Sequence, residues 1–140
     1  MAYGDGTDGR ILGFLRENSR ESFVDIGKKL GLSESAVRRR VKNMTEAGVI
    51  KKFTVEMGDA GSTSALVLVS VDSATDTSAV SQKLAKLEGV RTVYEITGQY
   101  DITTVVTAGT IAEINRSIDA LRKVQGVADT NTVIILKKVA

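Results

Sequence analysis

Apolar residues in the first half of the chain recur every three or four positions, the spacing of a helix that packs one face against a core. The first such stripe includes Ile11 and Leu15 and ends at Asn18. Thr7 or Asp8 is expected to cap its start, because a short polar side chain can accept hydrogen bonds from unpaired backbone N–H groups. The pattern therefore predicts one amphipathic helix before residue 18.

Two further helices are predicted on either side of a short turn. Ser22 and Ser33 are their expected N-terminal caps, and Gly31 ends the first of the two. Their inward-facing apolar residues are expected to be Phe23, Ile26, Leu30, Val37, Val41 and Met44. Two short helices joined by a Gly-Leu-Ser turn indicate a helix-turn-helix, and a strand predicted over residues 49–55 makes it the winged kind.

The second half of the chain alternates between the period of a strand and the period of a helix. Four strands are predicted, over residues 64–71, 90–97, 101–107 and 127–138. One helix is expected to start at Asp76 or Thr77, and another at a capping box formed by Thr110 and Glu113. The inward-facing residues of these helices are expected to be Val80, Leu84, Leu87, Ile111, Ile114, Ile118 and Leu121. The order βαββαβ predicts a ferredoxin-like sheet with both helices on one face.

The domain organisation follows from a repeat and a linker. Residues 86–90 and 123–127 each run from a helix end through a C′ glycine, Gly89 or Gly126, into a strand. Each half of a split βαβ fold contains that junction once. Residues 57–63 are small and polar, and they are the expected linker between residues 1–56 and 64–140. The predicted fold class is α+β, with a winged helix-turn-helix domain followed by a ferredoxin-like βαββαβ domain.

Two of the predicted strands are apolar on both faces, although the helices can cover only one face of the sheet. In the first strand Val67 and Val69 alternate with Leu66 and Leu68, and residues 133–136 of the last strand show the same pattern. An exposed apolar face of this size is unusual in a monomer. We therefore expect a second copy of the chain to cover it, giving at least a homodimer.

Composition narrows the range of functions. The 140 residues contain no Cys and no His, which excludes disulfides, thiol nucleophiles and most zinc sites, so no resident metal or cofactor is predicted. The chain also lacks a glycine-rich phosphate loop and clustered carboxylates, so an enzyme is not expected. With no secretory signal and no apolar stretch of bilayer-spanning length, the expectation is a cytoplasmic protein without a membrane partner.

Positive charge is concentrated in one short region. Residues 28–52 contain eight basic and two acidic side chains, whereas residues 61–140 contain eight of each. This distribution is typical of a module that binds a polyanion, and the helix-turn-helix makes double-stranded DNA the expected partner. The residues predicted to contact DNA are Ser33, Ser35, Arg38, Arg39, Arg40, Lys42, Lys51 and Lys52.

Motifs in both halves resemble those of the Lrp/AsnC (feast/famine) transcriptional regulators. The first half contains Asp25-Ile-Gly-Lys-Lys-Leu-Gly-Leu-Ser33 and Ala47-Gly-Val-Ile50. The second half contains Val93-Tyr-Glu-Ile-Thr-Gly-Gln-Tyr-Asp101 and Thr130-Asn-Thr132. The resemblance covers nearly the whole chain, and the combination of motifs is highly specific. The second half is most similar to the short archaeal members associated with lysine biosynthesis.

The resemblance implies that the second domain binds an amino acid where dimers meet, and that dimers assemble into tetramers or octamers. The effector-binding residues that it implies are Thr97, Gly98, Gln99, Tyr100, Asp101, Thr130, Asn131 and Thr132. Hydroxyls and backbone N–H groups suit an α-carboxylate, and Asp101 suits an ammonium group. The similar archaeal members suggest lysine as the effector. Gln99, where relatives often have Asp, favours a neutral side chain such as glutamine.

Two functions stay open at this point. The leading interpretation is a sequence-specific DNA-binding transcriptional regulator whose oligomeric state or DNA affinity responds to an amino acid. The alternative is a nucleoid-like protein that organises DNA without a small-molecule effector. A DNA-binding assay separates them, because the first responds to an amino acid and the second gives a broad footprint and no response.

Overall fold

The structure is a computed structural model that describes residues 6–58 and 61–139. The chain divides into two compact units, Met1–Glu56 and Met57–Ala140, and each has its own hydrophobic core. None of the helices in the described ranges is both long enough and apolar enough to cross a membrane.

The first unit consists of three helices: α1 (Thr7–Glu17), α2 (Phe23–Leu30) and α3 (Glu34–Glu46). All three contribute to its buried core, which contains Ile11, Leu15, Ile26, Val37, Val41 and Met44. As predicted, the Ser22 side chain caps α2 by accepting a hydrogen bond from the Asp25 N–H, and Gly31 ends α2 at φ 69°. The predicted helix-turn-helix is therefore confirmed.

Two predictions for this unit are wrong. Gly6, rather than Thr7 or Asp8, precedes α1, and that helix has no side-chain cap. The strand predicted over residues 49–55 does not form, because the Val49 and Ile50 N–H groups both donate to the carbonyl of Met44 at the end of α3. A strand also needs a neighbouring strand for its hydrogen bonds, and the described part of this unit contains only helices. The wing is thus missing from the single chain.

The second unit is an antiparallel sheet with two helices on one face. Its elements are β1 (Thr63–Val71), α4 (Thr77–Leu84), β2 (Val90–Glu95), β3 (Ile102–Ala108), α5 (Ile111–Arg122) and β4 (Val127–Ile135). The strand order is β2-β3-β1-β4, and every neighbouring pair is antiparallel. This arrangement is the predicted βαββαβ topology, with β2 and β4 somewhat shorter than expected.

Alternate residues of each strand face the helices and form the core of this unit. In β1 Val67 and Val69 are buried under α4 and α5, whereas Leu66 and Leu68 point to the opposite face and are half-buried. The predicted Thr110–Glu113 capping box is present with both of its hydrogen bonds. The remaining inward-facing residues are buried or packed on this core as predicted, namely Val80, Leu84, Leu87, Ile114, Ile118 and Leu121.

Ile111 departs from this prediction, since its side chain is 57% exposed. It is the first residue of α5. A helical side chain points back toward the N-terminus of its helix, so a residue in the first turn can extend past the end of the sheet.

The two repeated junctions place a glycine directly before a strand rather than at the C′ position of a helix. α4 is capped by Ala85 and α5 by Lys123, and Gly89 and Gly126 follow four and three residues later with φ of 84° and 98°. Each glycine packs against the helix of the other half. A Cβ on Gly89 would lie 2.7 Å from Ser117 Oγ of α5, and one on Gly126 would lie 2.8 Å from Val80 Cγ2 of α4.

Candidate functional site

Hydrogen bonds and close packing hold the turn between α2 and α3. The Leu32 N–H donates to the Gly27 carbonyl over 2.9 Å, and Ser33 Oγ accepts from the Ala36 N–H over 3.2 Å. Gly27 is buried, and a Cβ there would overlap the carbonyl oxygen of Leu32. These contacts fix the start of α3, the helix that carries most of the residues predicted to contact DNA.

α3 presents a polar face to solvent because its apolar residues, Val37, Val41 and Met44, are buried. The exposed residues on the opposite side include Ser35, Arg38, Arg39 and Lys42. At the start of the helix the hydroxyl oxygens of Ser33 and Ser35 lie 3.1 Å apart. The structure therefore brings two hydroxyls and three cations to one accessible surface, as the sequence predicts. This surface is called the α3 face below.

The three cations of the α3 face differ in their partners. Arg38 pairs with Glu34 one turn earlier, and its guanidinium carbon lies 5.2 Å from the centre of the Phe23 ring. Lys42 Nζ lies 3.7 Å from a carboxylate oxygen of Glu46. Arg39 forms no hydrogen bond or ion pair with any residue in the described ranges. Exposed helix pairs contribute only about 0.3–0.5 kcal/mol, so a phosphate can displace either carboxylate.

The remaining predicted DNA contacts lie elsewhere in the first unit. Arg40 Nη1 donates to Asp8 Oδ1 over 2.9 Å, which ties α3 to α1, and both side chains are little more than a third exposed. Lys51 and Lys52 are exposed in the irregular segment that follows α3. The sequence gives no sign of the Asp8 partner. The spacing of Glu34 and Arg38, in contrast, is a recognisable i, i+4 pair.

The first predicted effector segment lies between β2 and β3, and its last residue is tied to β1. Asp101 Oδ2 accepts a hydrogen bond from the Val71 N–H over 2.8 Å, and the Asp101 N–H donates to the Val69 carbonyl over 3.0 Å. Thr97, Gly98 and Gln99 are exposed. Asp101 thus holds the segment against the end of β1, a structural role that its position in the sequence does not reveal.

The second predicted effector segment belongs to β4 and lies on the other side of β1. Thr130 pairs with Val69, whose other neighbour is Ile102, so the two segments meet at one end of β1. The side chains of the second segment do not share one face of the sheet, because Asn131 lies between Thr130 and Thr132 in the strand. Thr130 Oγ1 accepts from Arg122 Nε over 3.0 Å. The buried hydroxyl of Thr132 has no partner in the described structure, and the Asn131 side chain is exposed.

Two serine hydroxyls shift the pKa of the Glu95 carboxyl group from its usual value. Ser81 Oγ donates to Glu95 Oε1 over 2.6 Å and Ser78 Oγ over 2.9 Å. These hydrogen bonds, the one from Ser81 first, lower the pKa of Glu95 below the ordinary 4.5. These hydrogen bonds join β2 to α4, so the Glu95 carboxylate has a structural role in this unit. Within the described ranges no group of three or more acidic residues could hold a metal ion.

Comparison with known proteins identifies both units. Residues 5–45 match the AsnC-type helix-turn-helix domain, and residues 64–140 match the Lrp/AsnC ligand binding domain. The chain belongs to the Lrp/AsnC family. It is therefore a DNA-binding transcriptional regulator and not an enzyme, as the sequence predicts.

Similar proteins confirm the resemblance to archaeal members of the Lrp/AsnC family. The chain is 42% identical over 137 residues to the HTH-type transcriptional regulator LysM of Sulfurisphaera tokodaii, with 98% of both chains covered. It is 41% identical over 133 residues to the LysM regulator of Saccharolobus solfataricus, covering 95% of this chain and 94% of that one. A Neisseria meningitidis transcriptional regulator solved as a complex with L-methionine superposes with a TM-score of 0.83 at 25% identity, over 97% of this chain and 92% of that chain.

Proposed function

We propose that this Lrp/AsnC regulator binds double-stranded DNA through the α3 face, and that an amino acid changes its DNA affinity by acting on an assembly of two or more chains. The observation that carries the proposal is the α3 face itself, an accessible surface with two hydroxyls, two weakly paired cations and the unpaired Arg39. The similar LysM regulators come from archaea, whose DNA lies in the cytoplasm, and we propose the same location for this protein.

The α3 face has the chemistry that the major groove requires. Arg39 is free to make a bidentate hydrogen bond to the edge of a guanine, the commonest specific contact between a protein and a base pair. Arg38 and Lys42 can exchange their carboxylate partners for phosphates, and Lys51 and Lys52 can add further phosphate contacts. Arg40 is excluded from this proposal because its guanidinium is bound to Asp8.

A second copy of the chain is the proposed partner of the open face of the sheet, the face that α4 and α5 leave uncovered. Tyr94, Val133 and Ile135 lie there with side chains that are 56%, 48% and 37% exposed, and Leu66 and Leu68 lie between them. Apolar side chains on adjacent strands form a continuous surface that is unfavourable in water. A twofold dimer buries this surface in both copies and presents two α3 faces to DNA.

The proposed effector is an amino acid, with lysine and glutamine as the leading candidates. Within the described residues no hydrogen bond uses the backbone N–H groups of Gly98 and Gln99, so they are free to bind a carboxylate. Asp101 uses only Oδ2 for Val71, which leaves Oδ1 available to an ammonium group. The L-methionine complex of the Neisseria relative supports this class of ligand.

The proposal is tested by measuring the dissociation constant for a DNA fragment from upstream of the protein's own gene. The measurement is made at moderate salt, alone and with each of the twenty common amino acids. We expect specific binding that weakens steeply as salt is raised, and a change in affinity with at least one amino acid. Equal affinity for unrelated DNA, together with no response to any amino acid, would favour a nucleoid-like protein. No binding to DNA at all would overturn the proposal.

A further inference from the structure

A polar cleft of about 360 Å³ lies in the second unit, between the start of β2, the end of β3 and α5. Its volume is within the range of small-molecule sites. None of the eight residues of the two effector segments lines it.

One wall of the cleft is a single stripe along α5. Glu113, Arg116, Ser117 and Ala120 line it, at positions i, i+3, i+4 and i+7 of the helix. Residues with this spacing share one face of a helix. The stripe lies beside the buried residues of α5, so its polar groups are held at the margin of the core.

The opposite wall is shaped by a β-bulge at the start of β2. Val90 pairs with Val106 and Thr92 pairs with Val105, so Arg91 has no opposing residue in β3. A bulge of this kind re-aims a side chain, and bulges are common beside functional sites. Here the bulged residue, Arg91, lines the cleft.

Gly89 keeps the space between the walls open. It adopts φ 84°, and a Cβ at this position would lie 2.7 Å from Ser117 Oγ. Ser117 Oγ in turn donates to the carbonyl of Glu88 over 3.1 Å, which fixes the distance between α5 and the start of β2. The other small side chains of the lining, Ala108 and Ala120, leave room for an occupant.

The charges of the cleft are complementary to a zwitterion. In the described part of the chain, neither Arg91 nor Arg116 has a hydrogen bond or ion pair through its guanidinium, and the Glu88 carboxylate is equally free. Glu113 Oε2 accepts from the Thr110 N–H in the capping box, which leaves only Oε1 without a hydrogen bond. Two free cations, the free carboxylate of Glu88 and the partly used carboxylate of Glu113 therefore surround the cleft.

We propose that this cleft is a second amino-acid site, distinct from the two effector segments. The guanidinium groups of Arg91 and Arg116 hold the α-carboxylate, the Glu88 carboxylate accepts hydrogen bonds from the α-ammonium group, and the ligand side chain lies toward Ala108 and Ala120. This inference rests on the proposed response to amino acids but not on the residues proposed to contact the effector at the end of β1.

The test is a calorimetric titration of the full-length protein with each of the twenty common amino acids. The measurement is repeated with Arg116→Ala, Glu88→Gln and the matched control Lys86→Ala, an exposed neighbour outside the cleft. We expect the first two variants to weaken one component of binding by about tenfold or more. The control is expected to bind as the parent does. Thermal melts of each variant confirm folding, and Arg116→Lys is expected to restore part of the affinity.

The outcomes separate this inference from the proposed function. Binding that Asn131→Ala weakens but Arg116→Ala and Glu88→Gln leave unchanged would support the effector segments and overturn the second site. Inorganic phosphate or the N-acetylated amino acid binding the cleft as tightly as the free amino acid would identify a simple anion site and also overturn it. No binding of any amino acid would overturn the second site and the proposed response to an amino acid, whereas the proposed DNA binding is tested by the DNA affinity measurement.

Discussion

Arg40 and Asp8 form a 2.9 Å ion pair that joins α3 to α1, whereas Arg39, the adjacent residue, has no partner in the described structure. Neighbouring positions on a helix point about 100° apart. The Arg40 guanidinium therefore stabilises the contact between α3 and α1, and the Arg39 guanidinium is available to a ligand. Substituting the two arginines one at a time separates an effect on stability from an effect on DNA binding.

Arg39→Ala is expected to weaken DNA binding by about 1–3 kcal/mol, a loss of roughly fivefold to 150-fold in affinity, because Arg39 is proposed to contact a base. Its melting temperature should match that of the parent. Arg40→Ala is expected to lower the melting temperature by a few degrees, since a partly exposed ion pair contributes up to about 1 kcal/mol. Fluorescence anisotropy and thermal melts of both variants make the comparison. The reverse pattern would place Arg40 rather than Arg39 on the DNA.

Val133→Asp is expected to dissociate the proposed dimer. The side chain is 48% exposed in the single chain, so the charge is tolerated in the monomer but is buried without a partner when the open face is covered. Ile111→Asp is the matched control, because Ile111 is also about half exposed but lies on α5, away from the open face. Light scattering after gel filtration measures the mass. Dissociation by the control, or none by Val133→Asp, would exclude the open face as the interface.

Substitutions of Asp101 distinguish its hydrogen bond to Val71 from a contact with the effector. Asp101→Ala leaves the Val71 N–H without an acceptor and should destabilise the protein by about 1–3 kcal/mol. Asp101→Asn keeps an acceptor but no charge. We expect it to melt near the parent temperature and to lose the response of DNA binding to the amino acid. A full response in Asp101→Asn would show that Asp101 only positions the segment.

Two glycines in helices should respond in opposite ways to alanine. Gly13 in α1 has open space around it, so Gly13→Ala is expected to stabilise the protein by up to about 1 kcal/mol through helix propensity. At Gly27 the added Cβ would overlap the carbonyl oxygen of Leu32, and such crowding costs about 1–3 kcal/mol. Urea titrations should show a higher midpoint for Gly13→Ala and a lower one for Gly27→Ala. Equal urea midpoints for Gly27→Ala and the parent would mean that the turn between α2 and α3 moves to accommodate the added Cβ.

Glu95 should contribute to stability only while it is ionised. Its pKa in the folded state is lowered by hydrogen bonds from Ser81 and Ser78, so its contribution is present above the unfolded value of about 4.5 and is lost as pH falls through the folded value. Ser81→Ala is expected to raise the pKa of Glu95 toward 4.5, and by more than Ser78→Ala does. Carboxyl NMR titration measures the pKa of Glu95 in the parent protein and in both variants, and an unchanged pKa in Ser81→Ala would contradict this account.

Local sequence rules predicted the elements that local interactions form. Ser22, Gly31 and Ser33 mark the helix-turn-helix because caps and left-handed glycines act within a few residues. The Thr110–Glu113 capping box is another such case. The strand predicted over residues 49–55 does not form. Alternating apolar residues are not enough for a strand, which also needs a neighbouring strand for its hydrogen bonds. Its exposed Phe53 shows that an apolar residue in a strand-like pattern need not be buried within its own chain.

The contacts that define the candidate sites join residues far apart in the chain, and no local pattern in the sequence predicts which residues will meet. Arg40 belongs to a basic run that predicts DNA contact, but in the structure its guanidinium binds Asp8, which lies 32 residues earlier. Asp101 fits a family motif, yet its bond to Val71 depends on the registry of β1 and β3. The outward face of α3 was predictable because the spacing of Val37 and Val41 fixes which side of a helix is buried.

The reciprocal packing of Gly89 on Ser117 and of Gly126 on Val80 makes the two βαβ halves interlocking parts of one cooperative unit. Side chains of each half pack against the glycine of the other half, Ser117 against Gly89 and both Thr75 and Val80 against Gly126. A chain cut between Gly98 and Gln99 should therefore yield two fragments that are disordered when separate and regain structure when mixed.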